Sequence, residues 1–153
     1  MRPLNHTGPG QSADFVCSDF ARQVARIKAG LAEPLVRVGN LAPERDFSDV
    51  RDIIRAYGLA VTMDRPRGEV CPVFNLASGR AVSIRWVLET LIRIAGVDIR
   101  VEEDPSRLRP VDIPRIVGDA RKFQEATGWR PRLTIERTLE DLLDHWFAVE
   151  QPN

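Results

Sequence analysis

The feature that most constrains this chain is a repeated change of hydrophobic period. From Ser12, a residue suited to capping a helix, Phe15, Val16, Phe20, Val24 and Ile27 recur at helical spacing until Gly30. Pro34 then introduces Leu35-Val36-Arg37-Val38, a β-branched run closed by Gly39-Asn40 that reads as a strand and a turn. The exchange recurs. Arg45-Asp46-Phe47 is extended, Ser48 is placed to cap a second helix, and Val50, Ile53, Ile54, Tyr57 and Val61 line one face, Tyr57 as core, until Arg65-Pro66 and the Arg67-Gly68 turn.

Val70 to Leu76 is almost wholly apolar, the pattern of a strand covered on both faces, with Pro72 pointing to an edge or a bulge. Ser83 caps a helix that turns Ile84, Val87, Leu88, Leu91 and Ile92 inward and stops at Gly96. Ile99 and Val101 alternate with charged residues as in a half-buried strand, and Asp104 to Pro114 is an ordered loop without regular structure. Asp119 caps a short helix ending at Thr127-Gly128, and Thr134 caps a last one carrying Ile135, Leu139, Leu142, Leu143 and Trp146. Arg2 to Gln11, with two prolines and two glycines, reads as a loop. The class is α/β, and 153 residues without a repeat, a low-complexity stretch or a linker make one domain the expectation for 1–153.

Charge narrows the partners. Acidic and basic residues balance at 22 each, which gives no global field toward nucleic acid or an anionic membrane. No apolar run approaches the ~20 residues that span a bilayer, and no secretory leader pattern opens the chain, so a cytoplasmic protein is expected. Only Lys28 and Lys122 are lysines, and arginine, whose planar fork suits phosphate, supplies the rest of the positive charge. Cys17 and Cys71 lack metal or redox spacing and read as reduced, buried small hydrophobes.

Candidate chemistry is sparse. Gly8-Pro9-Gly10-Gln11-Ser12-Ala13 matches the letters of the dinucleotide-binding fingerprint, but too few residues precede it for the buried strand that fingerprint requires. His6 and His145 lie at opposite ends, and no nucleophile elbow or zinc helix is present, so no metal or hydrolytic constellation forms. His145 reads as part of a solvated helix face, and His6 can orient its own loop. Arg45, by a strand end, and Arg109, in a proline-stiffened loop, can either clamp a diphosphate, with Asp112 accepting from ribose hydroxyls, or form surface ion pairs.

Several stretches together resemble one family. Arg2-Pro3-Leu4-Asn5-His6-Thr7-Gly8-Pro9-Gly10-Gln11, Val38-Gly39-Asn40-Leu41, Arg45 to Asp52, and Phe74-Asn75-Leu76-Ala77-Ser78-Gly79 with Ser83-Ile84 carry the first part of the likeness. Asp104-Pro105 to Asp112-Ile113-Pro114, Gly118-Asp119 to Lys122 and Thr127-Gly128-Trp129-Arg130-Pro131 continue it in order. The chain is similar to the extended short-chain dehydrogenase/reductases of the NAD-dependent epimerase/dehydratase family, and within it to the GDP-sugar branch of GDP-6-deoxy-D-mannose reductases and GDP-mannose 4,6-dehydratases.

That resemblance implies the C-terminal, substrate-binding portion of such an enzyme, with about five helices and short strands, lacking the N-terminal Rossmann half. It implies that Asn5 bonds a sugar nucleotide near its phosphates, that Gly39, Asn40 and Leu41 lie along the base, that Arg45 and Arg109 clamp the diphosphate, and that Asp112 holds the ribose. NAD(P) is implied for the complete enzyme and none is expected on this chain alone, since the glycine-rich cofactor loop and the Tyr-x-x-x-Lys pair are absent and the sole tyrosine, Tyr57, is followed by Gly58-Leu59-Ala60-Val61. No catalytic residue is therefore expected here, and whether the chain by itself is an enzyme stays open. The expected partner is a nucleotide diphosphate sugar, GDP-linked by preference, together with a Rossmann subunit or further copies of the chain. The alternatives are a stand-alone binding or interaction module and a non-functional remnant.

Overall fold

In the computed structural model, residues 1–64, 72–108 and 113–151 are described. The sequence-based expectations for Arg65 to Cys71 and for Arg109 to Asp112 lie outside them. The described residues form a mixed α/β fold with five helices. Arg2–Pro3 (β1) and Asn5–Thr7 (β2) lead to Val16–Lys28 (α1) and Leu35–Val38 (β3), and Glu44–Asp49 (β4) runs directly into Val50–Thr62 (α2). Asn75–Leu76 (β5) and Ala81–Ser83 (β6) precede Ile84–Ala95 (α3), Arg100–Glu103 (β7) and a 3-10 turn at Pro105–Arg107. Arg115–Ile116 (β8), Arg121–Thr127 (α4) and Ile135–Glu150 (α5) follow.

β4 is the spine. It pairs in parallel with β2 (Asn5 opposite Phe47, Thr7 opposite Asp49) and with β8, and antiparallel with β6 (Arg45 opposite Val82). Two parallel pairs, β1 with β5 and β3 with β7, stand apart from this sheet. Arg2 to Gln11 is therefore not wholly loop. Its prolines permit strands because the ladder donors that β1 needs come from Arg2 and Leu4, which donate to the carbonyls of Phe74 and Leu76 at 2.8 and 2.9 Å.

Two apolar clusters flank the spine. In the first, α1, α3 and α5 bury Phe20, Val24, Leu88, Leu91, Leu139 and Leu142 together with Val36, Val38 and Phe47. The second joins Ile53 and Ala56 of α2 to Phe74, Leu76, Phe123 and Trp129, with the Phe123 ring 5.5 Å from Phe74 and 5.8 Å from Trp129, centroid to centroid. Each large side chain so buried contributes about 1.5–3 kcal/mol relative to exposure.

Several local expectations hold and several do not. Ser83 and Thr134 accept from the backbone N–H groups of Trp86 and Arg137 as N-caps, and α3 ends on Gly96 at φ 67°, a left-handed conformation that glycine adopts without strain. Ser12 does not cap α1. Its hydroxyl bonds Asp14 instead, and the helix starts later, with Phe15 at the cap position and no side-chain bond. Asp49, not Ser48, caps α2: β4 runs through Asp49, the helix starts at Val50, and the Asp49 carboxylate accepts from the Arg51 N–H. Asp119 accepts from Arg121 N–H, yet Ala120 holds the cap position of α4.

Tyr57 is not core. It is 43% exposed, and Ile54 and Val61 are 63% and 85% exposed, because α2 buries its other face, Asp52, Ile53 and Ala56. Of the apolar run from Val70 to Leu76 only Asn75–Leu76 is strand among the described residues, and Val73 is exposed. β7 is exposed along its length, Val101 included, since among the described residues it pairs only with β3.

Candidate nucleotide-sugar cleft

A cleft of about 880 Å³ opens between the ends of β2 and β4, the loop before α1, the first turn of α1 and the segment after β3. Asn5, Gly39, Asn40, Leu41 and Arg45 all line it. The backbone puts them there: β2 and β4 run parallel in register, so Asn5 and Arg45 lie near one end of the spine, and the Asn5 amide donates to the Asp46 carbonyl at 3.4 Å. Arg45 Nη1 donates to the carbonyls of Glu44 (2.8 Å) and Ile113 (2.7 Å). Ile113 is the first described residue after Arg109 to Asp112, and Arg107, on the other side of that segment, also lines the cleft. Arg109 and Asp112 themselves lie outside the described residues.

The loop between β2 and α1 is fastened from within. Thr7 Oγ1 donates to Gln11 Oε1 (2.7 Å), Gln11 Nε2 donates to the His6 carbonyl (3.0 Å), and Ser18 Oγ donates to the Gln11 carbonyl (2.7 Å) while accepting from Trp146 Nε1 (2.8 Å). The exposed His6 ring shares a hydrogen with the Leu4 carbonyl through Nδ1 at 3.1 Å, in keeping with a loop-orienting part. His145 is half-buried and stacks edge-on against Trp146, so it is less solvated than its helical position suggested. Cys17, facing the cleft, is a buried free thiol, pushed up to about 12 chiefly by burial, with the polar Thr7 side chain acting the other way.

The Gly8 to Ala13 segment departs from expectation in one respect and agrees with it in the other. A parallel strand, β2, does precede it. Gly8 is small for a packing reason, since a Cβ there would meet Val50 Cγ1 at 2.7 Å, and the helix begins only at Val16, so no helix N-terminus meets the glycine turn. These residues do not fit a dinucleotide pyrophosphate. Among the described residues no three of His, Cys, Asp and Glu group to hold a metal ion, and no helix is long and apolar enough to cross a membrane.

Two buried carboxylates hold the cleft's frame. Asp46 is 0% exposed, and it accepts from Ser78 N–H (2.9 Å) and Oγ (2.6 Å), Gly79 N–H (2.9 Å) and Gly118 N–H (3.1 Å), locking β4 to the turn before β6 and to the segment after β8. Asp49 accepts from Arg51 N–H (2.7 Å) and from Thr138 Oγ1 (2.7 Å), which ties α2 to α5. Burial pushes its carboxyl up, but the Arg51 and Thr138 bonds outweigh that and hold it below the usual carboxylate range.

Arg107 and Asp19 line the cleft and were not singled out by sequence. Arg107 Nη1 bonds Asp19 Oδ2 at 2.7 Å, and its backbone carbonyl lies 2.5 Å from where a Gly39 Cβ would stand, so Gly39 lets the 3-10 turn close against the end of β3. The only sequence cue was position, Arg107 standing two residues before Arg109 and three after Asp104.

This fold is that of the C-terminal part of the short-chain dehydrogenase/reductases. A solved structure described as RMD from Pseudomonas aeruginosa complexed with NADPH superposes with a TM-score of 0.88 at 37% identity, over 97% of this chain and 48% of that one. UDP-glucose 4-epimerase of Thermotoga maritima, solved with UDP-glucose, gives 0.81 at 25% identity, over 98% and 46%. The family model for GDP-mannose 4,6 dehydratase matches residues 1–142, and the chain belongs to that family. Among curated relatives it is similar to the GDP-6-deoxy-D-mannose reductase of Pseudomonas aeruginosa (39% identical over 145 residues, 95% of this chain and 46% of the relative). It is also similar to GDP-mannose 4,6 dehydratase 1 of Arabidopsis thaliana (28%, 92% and 38%). The chain thus spans about half the length of the curated relatives it matches.

Proposed function

We propose that the chain is the nucleotide-sugar-binding part of an NAD(P)-dependent reductase or dehydratase acting on GDP-deoxyhexoses, and that it does not complete the reaction alone. The observation that carries this reading is the gathering of Asn5, Gly39, Asn40, Leu41 and Arg45 around one cleft large enough for a nucleotide diphosphate sugar. In it Asn5 and Arg45 hold the diphosphate, Arg109 supplies the second guanidinium, Asp112 takes the ribose hydroxyls, and Gly39 to Leu41 run along the base. A dianion met by two guanidinium forks is a charge-assisted arrangement, with each contact to a charged group contributing about 1.5–3 kcal/mol.

Calorimetric titration with GDP-mannose tests it. Arg45→Ala and Arg109→Ala should each weaken binding about ten- to a hundredfold, and affinities unchanged in both would remove the clamp. The absence of Tyr-x-x-x-Lys and of a cofactor loop supports incompleteness, so the purified chain with GDP-sugar and NADPH should not turn over, and measurable turnover would overturn that part. We place it in the cytoplasm and as one folding unit, for which a single cooperative unfolding transition is expected.

A second reading, a subunit that pairs with a separate Rossmann half, is favoured by the exposed apolar stripe Ile54, Tyr57 and Val61 on α2. Addition of such a subunit should protect Tyr57 from solvent, read as reduced quenching of tyrosine fluorescence by acrylamide. Unchanged quenching would count against pairing through this face.

A further inference from the structure

Among the described residues β7 pairs with β3 alone, and its other edge carries no strand. The N–H groups of Arg100 and Asp104 donate to the Pro34 and Val38 carbonyls at 2.9 and 2.8 Å, so residues 100, 102 and 104 turn their backbone groups toward β3. By the two-residue period of a strand, those of Ile99, Val101 and Glu103 point the other way, into solvent. Such a row is a template for a further strand, and native edges are commonly blunted by lysine or proline. β7 has neither. Arg100-Val101-Glu102-Glu103 sets mixed charges around a valine that is 43% exposed.

The order of these residues favours one occupant, a second copy of the same strand. In an antiparallel ladder the outward backbone groups of one strand must face those of the other, which restricts self-pairing to registers two residues apart. Centring the two-fold axis on Arg100 sets Arg100 against Arg100, and centring it on Glu102 sets Glu102 against Glu102. Centring it on Val101 instead places each Arg100 opposite Glu102 of the other copy, and Val101 opposite Val101. β3 extends the match, because Leu35, Val36 and Arg37 stand beside Arg100, Val101 and Glu102 in register. One face then reads Arg37, Glu102, Arg100, Leu35 across four strands, and the other reads Val36, Val101, Val101, Val36. Asp98 and Asp104 also meet, but beyond the strand, where Ser106 and Arg107 already hold Asp104.

We propose that two copies of this chain join through the outer edge of β7, antiparallel about a two-fold axis at Val101, into a four-stranded sheet. The Val101 N–H of each copy donates to the Val101 carbonyl of the other, and Ile99 and Glu103 exchange the flanking bonds. The pairing closes on itself, since it consumes the free edge of both strands. It is also small. One strand edge covers less than the roughly 1,200 Å² of a standard interface, so the dimer is weak, with a Kd of about 10–500 µM. None of the residues assigned to the nucleotide takes part, and the face is not that of α2, so the inference stands apart from the proposed function.

Sedimentation equilibrium of the full chain from about 5 to 1000 µM should show monomer and dimer in exchange, with the dimer weakening as salt rises from about 0.05 to 0.5 M. Arg100→Glu makes both cross-strand pairs like-charged and should weaken dimerisation about tenfold or more, as should Glu102→Arg. Val101→Pro removes an N–H that points away from β3, so the chain keeps its fold while the dimer is lost. Mixing the two charge variants is the sharper test, because each supplies the charge that the other lacks. The mixture should form heterodimers although neither variant associates with itself, which also shows that both are folded. A wild type that stays monomeric over the whole range overturns the proposal. So does a dimer that Arg100→Glu and Val101→Pro leave intact, or a mixture that stays monomeric.

Discussion

Replacing Asp46 with asparagine should destabilise the fold far more than an isosteric change at an ordinary strand position. The carboxylate is wholly buried and receives four hydrogen bonds, three of them from backbone N–H groups. In Asp46→Asn one oxygen becomes –NH2. If it replaces Oδ1, the Ser78 N–H is orphaned while the Ser78 hydroxyl can turn to accept; if it replaces Oδ2, both Gly79 and Gly118 lose their acceptor.

The first arrangement costs less. One stranded donor costs about 1–3 kcal/mol, and the remaining bonds lose their charge assistance, so the total is about 2–4 kcal/mol. For a chain of this size each kcal/mol lowers the melting temperature by about 2–4 °C, which gives roughly 5–15 °C in a differential scanning experiment, with a matching shift of the urea midpoint at unchanged slope. A loss below about 0.5 kcal/mol would refute the idea that this carboxylate holds β4 to its neighbours.

Three further outcomes follow from the same structure. Gly39→Ala puts a Cβ 2.5 Å from the Arg107 carbonyl oxygen, so the 3-10 turn must move; a stability loss of about 1–3 kcal/mol with weakened GDP binding is expected, and wild-type behaviour in both assays would show that this wall is not tightly packed. Ser48 Oγ is buried without a hydrogen-bond partner among the described residues, so Ser48→Ala should be neutral or stabilising by up to about 1 kcal/mol in urea melts, and a clear loss would mean that the hydroxyl has a partner. Asp49 and Glu150 are both depressed, Asp49 by Arg51 and Thr138 against its burial, Glu150 first by Arg22 and then, against burial, by Arg26. Their contribution is present above the ordinary values of 3.8 and 4.5 and is lost as pH falls through the lower folded values, whereas the raised Cys17 thiol makes stability fall above its ordinary 9.0. Urea melts across pH should therefore show a plateau between these limits and a decline on both sides, and a stability that rises toward pH 3 would contradict the assignment.

How much of this was legible in the residues depends on the range of the interaction. Caps read correctly where the helix start is set locally: Ser83 and Thr134 directly precede their helices and bond the backbone three residues on. They misread where tertiary pairing intervenes. The ladder with β2 runs on through Asp49, which moves the cap of α2 one residue past Ser48, and the start of α1 is delayed by a loop that Gln11 fastens to Thr7, His6 and Ser18. Periodicity found α2 and its buried Ile53 but turned Ile54, Tyr57 and Val61 inward as well, because they make as regular a stripe as Ile53 and Ala56 do. The glycine-rich loop, the strand at Val38 and Arg45 marked the cleft through family likeness, whereas the Asp19–Arg107 pair that also lines it joins residues 88 apart in sequence, beyond the reach of a local pattern. Asp46 was hidden for the same reason, its donors lying 32 to 72 residues downstream.

The central claim is that one cleft beside β2 and β4 receives a nucleotide diphosphate. Amide chemical-shift mapping of the labelled chain during titration with GDP tests it most directly. Perturbations should concentrate on Asn5 to Gln11, Asp19, Val38 to Leu41 and Arg45 to Phe47, and should vanish in Arg45→Ala at the same GDP concentration. Saturable shifts confined instead to the exposed face of α2 or to the start of α5, with those segments silent, would contradict the account.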